Sequence, residues 1–332
     1  MSCRNCVEIS NRFWKSTCVN RGLPHILREN NDMNCYRLLC DSCVPGRRRR
    51  FEAEMNSVAA FLLFSLIPLA VHGRILYAQA VFRHGDRAPS RNYPNDPYDK
   101  SFWPMGWSQL TEKGANETQE LGRFLRQKYL QGQVVDNEDQ VYVRSSSKTR
   151  AIKSAENVLI GLFPDESQRS HVVIEQDTKH WEDQLLKPNS VACPRYDEVR
   201  KIENRKNMER LNKKHEAFFA FVSRNAGVNV TMEPRGEGTL GVSDIFNAVY
   251  RETQNGFEQP AWVTSEFEPN LTAYDLILEL KRVDRLMQFN SPQKSKLRAG
   301  FLLGDFVKRL EYAAKRQNKH KLVLYSSVGG LF

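Results

Sequence analysis

Cysteine is nearly missing from most of this 332-residue chain. Six of its seven cysteines (Cys3, Cys6, Cys18, Cys35, Cys40 and Cys43) precede residue 44, and only Cys193 follows. A cysteine-rich block ahead of a nearly cysteine-free body points to two segments of different origin. Cys3-x-x-Cys6 and Cys40-x-x-Cys43 have the form of two zinc half-sites. Their spacer exceeds the usual ribbon range and Cys18 and Cys35 have no role in such a site, so no metal is assigned. Histidine is also scarce: His171, His180 and His215 stand alone without ligand spacing. Long apolar runs are absent. The longest, Val58 to Val71, is shorter than the roughly 20 residues a membrane span needs, so no stable span is expected. Lysine and arginine form no stripe along the chain, which argues against nucleic acid as a partner.

What is present is globular. Hydrophobic residues make up 40% and charged residues 27%, enough for one large domain or two ordinary ones. The net charge of +10 suits an anionic ligand without naming it.

Residues 1–54 show neither helical period nor strand alternation and read as a basic extension without its own fold, ending near Arg47-Arg48-Arg49-Arg50. Met55 to Gly73 carries no acidic or basic residue other than His72, has an apolar centre, and ends in small residues. It reads as a secretory signal peptide cleaved before Arg74, with a signal anchor or a core helix as alternatives. Asn116-Glu117-Thr118, Asn229-Val230-Thr231 and Asn270-Leu271-Thr272 are glycosylation sequons downstream of it. Together these features place the body, residues 74–332, in the secretory pathway.

The body turns on one stretch. Ile75 to Phe82 is apolar and reads as a buried strand, and Arg83-His84-Gly85-Asp86-Arg87-Ala88-Pro89 follows at its carboxyl end, where open α/β sheets bind ligands. Guanidiniums beside His84 keep its imidazole neutral and therefore nucleophilic, and their planar forks match phosphoryl oxygens. Asp86 is expected to pair with an arginine and to have no catalytic role. Ser90 to Gln109 is a long loop with Trp103 and Trp107, and Thr111 reads as the N-cap of a helix with an apolar stripe at Leu121, Phe124, Leu125 and Tyr129. Val141-Tyr142-Val143 repeats the strand pattern and delivers Arg144 at its end, so parallel strands bring Arg144 to the same sheet edge as His84. A helix over Lys148 to Leu162 follows. From about 165 to 295 the chain is polar and helical, with Lys201 to Phe221 a charged amphipathic helix. Gly300 to His320 reads as a helix with Phe301, Leu302, Phe306, Leu310 and Ala313 on its apolar side, and Lys321 to Ser327 as a last strand.

The Arg83–Pro89 stretch resembles the active-site signature of the histidine acid phosphatases, the branch of the histidine phosphatase superfamily that includes prostatic and lysosomal enzymes. Trp103-Pro104-Met105-Gly106, Arg144 to Arg150, Cys193-Pro194-Arg195-Tyr196 and Leu322 to Ser327 extend the likeness over roughly residues 74 to 327. The resemblance implies an α/β, phosphoglycerate mutase-like core with a central, mostly parallel sheet flanked by helices and an α-helical insertion. It implies hydrolysis of phosphate monoesters through a phosphohistidine on His84, with Arg83, Arg87 and Arg144 binding phosphate, no metal and no cofactor. It also implies a secreted or lysosomal location, leaves homodimerisation open, and pairs Cys193 with a later cysteine. One departure matters: Val328 and Gly329 stand where the family's His-Asp proton donor is expected. Neither side chain can donate a proton. The alternative expectation is therefore a catalytically impaired, truncated form that at most binds phosphate or regulates.

Overall fold

The computed structural model describes residues 74–132, 134–176, 183–233 and 237–329, all within the compact unit His72–Phe332. The expected extension 1–54, the signal peptide 55–73 and His180 lie outside the described residues.

Strand β1 (Ala78–Arg83) begins later than its apolar run. Its first ladder bond is Ala78 N–H to the Lys321 carbonyl at 2.8 Å, so Ile75 and Leu76 precede the pairing and stay exposed. Helix α1 (Glu112–Leu125) starts at the expected Thr111 cap, whose hydroxyl accepts from Gly114 N–H at 3.1 Å. A wider π-type segment, Arg126–Leu130, continues it. Strand β2 (Val141–Ser145), helix α2 (Thr149–Leu162) and the two-residue strand β3 (Ile174–Glu175) complete the first part of the core.

The insertion holds helices α3 (Pro194–Lys214) and α4 (Glu216–Ala226), the parallel ribbon β4 (Asn229–Thr231) with β5 (Thr239–Gly241), and helix α5 (Val242–Gln254). The antiparallel ribbon β6 (Glu266–Glu268) with β7 (Leu271–Thr272) and helix α6 (Ala273–Met287) follow. The stretch Lys201 to Phe221, expected to be helical, is two helices that meet at His215, which is buried and leaves helical geometry at φ −107°, ψ 23°. That break turns Phe218, Phe219 and Val222 of α4 into a core shared with Ile245, Val249, Leu276, Ile277 and Leu280. Burying each such side chain contributes about 1.5–3 kcal/mol. Tyr93, from the loop after the motif, enters the same core.

Helix α7 (Pro292–Ala314) starts eight residues before the expected Gly300, because Ser291 caps Lys294 N–H and Pro292 occupies the first turn without needing a hydrogen bond. Its buried residues are Lys294, Leu302 and Ala313, whereas Phe301 is 61% exposed. Strand β8 (Leu322–Ser327) then inserts between β1 and β2, giving the sheet order β1-β8-β2-β3 with every pair parallel.

Being central, β8 is buried along its whole length, and this explains its continuous apolar start, Leu322-Val323-Leu324-Tyr325. Alternate residues serve opposite layers. Leu322 and Leu324 join Phe82, Val143, Leu125, Val158 and Leu162 under α1 and α2. Val323 and Tyr325 meet Leu302 and Phe306 of α7. A Cβ at Gly122 would lie 2.1 Å from the Val158 carbonyl oxygen, so glycine lets the α1 and α2 backbones touch. The fold is mixed α/β with a central parallel sheet flanked by helices, and the sheet brings the carboxyl ends of β1, β8 and β2 to one edge.

Candidate active site

The loop after β1 is fixed by backbone and side-chain bonds from three directions. His84 N–H donates to the Ser327 carbonyl at the end of β8 at 3.0 Å. Gly85 N–H donates to Ser154 Oγ on α2 at 3.1 Å, and Asp86 N–H to Glu117 on α1 at 2.9 Å. Gly85 has no substitute: a Cβ there would sit 2.2 Å from the Gly114 carbonyl oxygen.

His84 is buried, with Nδ1 2.8 Å from the Gly85 carbonyl oxygen. A carbonyl only accepts, so Nδ1 carries the hydrogen and the lone pair is on Nε2. Burial first, then the charges of Arg83, Arg150 and Arg87, push the imidazole pKa down to about 2, against the opposing pull of the Gly85 carbonyl. The ring is therefore neutral across the acid range.

Arginines crowd this histidine. Burial and the charges of Arg251, Arg150 and Arg285 pull Arg83 below the usual guanidinium range; burial and Arg251, Arg150 and Arg83 do the same to Arg87. Arg87 donates to Asn247 Oδ1 on α5 at 2.7 Å and to the Ala88 carbonyl at 2.6 Å. The Nε atoms of Arg87, Arg150 and Arg251 are buried without a hydrogen-bond partner among the described residues. So many converging cations with spare donors can hold an oxyanion with several oxygens. Asp86 takes the pairing role expected of it. Its carboxylate accepts from Arg251 at 3.0 Å, Asn255 at 2.8 Å and Thr111 at 2.9 Å.

Arg83 and Arg87, in the same motif as His84, both lie close enough for their charges to act on its imidazole. Arg144 stands at the same sheet edge as expected, level with Tyr325 of β8 and Val81 of β1. Its guanidinium is 3.6 Å from Asp183, whose carboxylate is buried and also accepts from Leu185 and Leu186 N–H. Six residues on, in the first turn of α2, Arg150 is an arginine whose charge bears on His84. Its signal was local, since a helix beginning at the carboxyl edge of a parallel sheet turns its first residues towards that edge. Arg251 and Asn247 had no local signal, because both come from the insertion.

At the end of β8, the Ser327 hydroxyl donates to the Leu186 carbonyl at 2.7 Å, and Val328 is buried. A Cβ at Gly329 would lie 3.4 Å from Arg83 Nε, and the Gly329 carbonyl accepts from Arg285. Positions 328 and 329 thus adjoin the arginine cluster and offer it no ionisable side chain.

Comparison with known proteins agrees with this architecture. The family model of the histidine phosphatase superfamily (branch 2) matches residues 74–327. The chain is 30% identical over 294 residues to human prostatic acid phosphatase, covering 83% of this chain and 72% of that protein. It is 30% identical over 284 residues to the lysosomal acid phosphatase of Xenopus laevis, covering 80% of this chain but only 62% of the relative's length. Among solved structures, Hafnia alvei phytase in complex with tartrate superposes with a TM-score of 0.59 at 17% identity, over 78% of this chain and 73% of that one. With a matched segment that starts before β1 and ends on the last residue of β8, this chain belongs to the histidine phosphatase superfamily, branch 2.

Proposed function

We propose that this chain acts on phosphate monoesters as an acid phosphatase does, with His84 as nucleophile. The observation that carries the reading is the Nδ1 bond of His84 to the Gly85 carbonyl beneath the arginines. Nε2 attacks phosphorus, the N–P bond forms, and the ester P–O bond breaks with its electron pair leaving on oxygen. Arg83, Arg87 and Arg150 hold the three equatorial oxygens, and water then releases phosphate from the imidazole. Arg144 supports the site by holding Asp183. The relatives' names and the exposed asparagines of all three sequons support a secretory location.

The leaving oxygen needs a proton unless it is already a weak base, and Val328 and Gly329 supply none. With an aryl ester, whose leaving oxygen needs no proton, His84 can still be phosphorylated, and these two side chains offer no base to activate water afterwards; with such an ester the chain is phosphorylated more readily than it turns over. Rapid acid-free quenching after mixing with a radioactive aryl phosphate should trap label on His84. Turnover of an alkyl phosphate should trail the aryl ester by about 100- to 10,000-fold beyond their intrinsic difference, the usual contribution of a general acid. Absence of label on His84 together with absence of vanadate binding would remove the phosphatase reading. Equal handling of alkyl and aryl esters would show that a proton donor is present after all.

A further inference from the structure

Away from His84, the buried carboxyl group of Glu252 meets the half-buried one of Asp96. Glu252, in the last turn of α5, is wholly buried; one oxygen accepts from Gln259 at 3.2 Å and the other, Oε1, has no donor. Asp96, in the loop after the motif, accepts from Tyr98 N–H at 3.0 Å through Oδ1, while its buried Oδ2 also has no donor. The two side chains lie within hydrogen-bond reach of each other. Ionised carboxylates only accept, so two of them cannot bond and would repel strongly at this depth. A single proton between them satisfies both orphaned oxygens. We infer that Asp96 and Glu252 share one proton and form an acid-dependent latch that pins the loop after the motif onto α5.

The surroundings fit a protonated pair. The groups around it are Tyr93 and Tyr98 from the same loop and Gln259 after α5; Glu258 bears on Tyr98, and Arg251, next to Glu252 in sequence, is committed to Asp86. Tyr93 and Tyr98 are pushed up by burial and by these carboxylates, so both phenols stay neutral. Burial, then the charge of Asp96, pushes Glu252 up to about 8, and burial also raises Asp96. The latch lies among apolar contacts that seat the same loop: Tyr98 and Trp103 pack on Phe257, at 4.9 and 5.0 Å between ring centres. It bears on the site because α5 also carries Asn247, which holds Arg87, and Arg251, which holds Asp86.

The sign follows from the raised value. Above about pH 4.5 the unfolded chain releases the Glu252 proton while the folded chain keeps it, so the stabilisation is complete in acid and is lost as pH rises towards 8. The test is thermal melting of the full chain between pH 4.5 and 8.5, beside Glu252→Gln and Asp96→Asn. Each amide donates to the remaining carboxylate without titrating. The wild-type midpoint should fall by several degrees more across this range than that of either variant, with the variants gaining on the wild type at pH 8. Parallel wild-type and variant curves would overturn the latch. Should both variants fail to fold, the carboxyl carbon of Glu252 in the wild type, followed by NMR, decides. A midpoint well above the ordinary carboxylate range supports the shared proton, and one near 4.5 refutes it.

Discussion

Arg251 and Asp86, 165 residues apart, form an ion pair at 3.0 Å in which both side chains are 6% exposed. The pair joins the helical insertion to the loop that carries His84. Asp86 accepts in addition from Thr111 at the start of α1 and from Asn255 after α5, so one carboxylate gathers three parts of the fold. Its neighbours in sequence are held by bonds of their own: His84 by Ser327, Gly85 by Ser154 and Arg87 by Asn247.

Asp86→Asn keeps the shape and removes the charge, leaving Arg251 buried without its counter-ion. Breaking one side of a buried pair should cost about 3–5 kcal/mol, measured by urea unfolding. Asp86→Asn combined with Arg251→Met should recover much of this. A loss below about 1 kcal/mol in the single variant would mean that water reaches the pair.

Arg150→Ala should weaken vanadate binding by about 1.5–3 kcal/mol in titration calorimetry, the worth of a hydrogen bond to a charged group. Arg144→Ala should cost less affinity and more stability, since its ion pair is to the buried Asp183. The reverse order would return Arg144 to the phosphate.

His84 should make the fold less stable in acid. Its folded pKa is depressed from 6.5 to about 2, so below pH 6.5 the unfolded chain takes up a proton that the folded chain refuses. His84→Gln should therefore gain on the wild type by up to about 1.4 kcal/mol for each pH unit below 6.5, seen in melts from pH 7 to pH 4. This slope is opposite to that expected of Glu252. A constant difference between the two proteins would show that His84 charges freely in the folded state.

Gly85→Ala places a methyl against the Gly114 carbonyl, which is backbone and cannot swing away. The motif loop and the first turn of α1 must part, at about 1–3 kcal/mol or more. Circular dichroism melts and vanadate affinity should both fall, and an unchanged affinity would show that the loop tolerates the shift.

The sequence by itself determined what local chemistry can encode. The apolar strand ending at Arg83-His84, the glycine after it, the Thr111 cap and the β2–α2 repeat are all short-range patterns, and each element forms on its pattern, β1 starting only at Ala78. The parallel arrangement was legible too, because strands followed by helices cannot pair otherwise without long returns. Tertiary structure decided the rest. The break at His215 follows from two helix faces that must bury against one core, not from the local charge pattern of Lys201 to Phe221. The start of α2 was a local signal, but that its first turn packs Arg150 near His84 while Arg144 pairs with Asp183 was decided by the fold. Arg251, Asn247 and the Asp96–Glu252 contact join residues far apart in the chain, and such pairs have no spacing rule in sequence. They exist because packing the insertion against the loop after β1 buries polar groups, and buried polar groups must find partners or give up their charge.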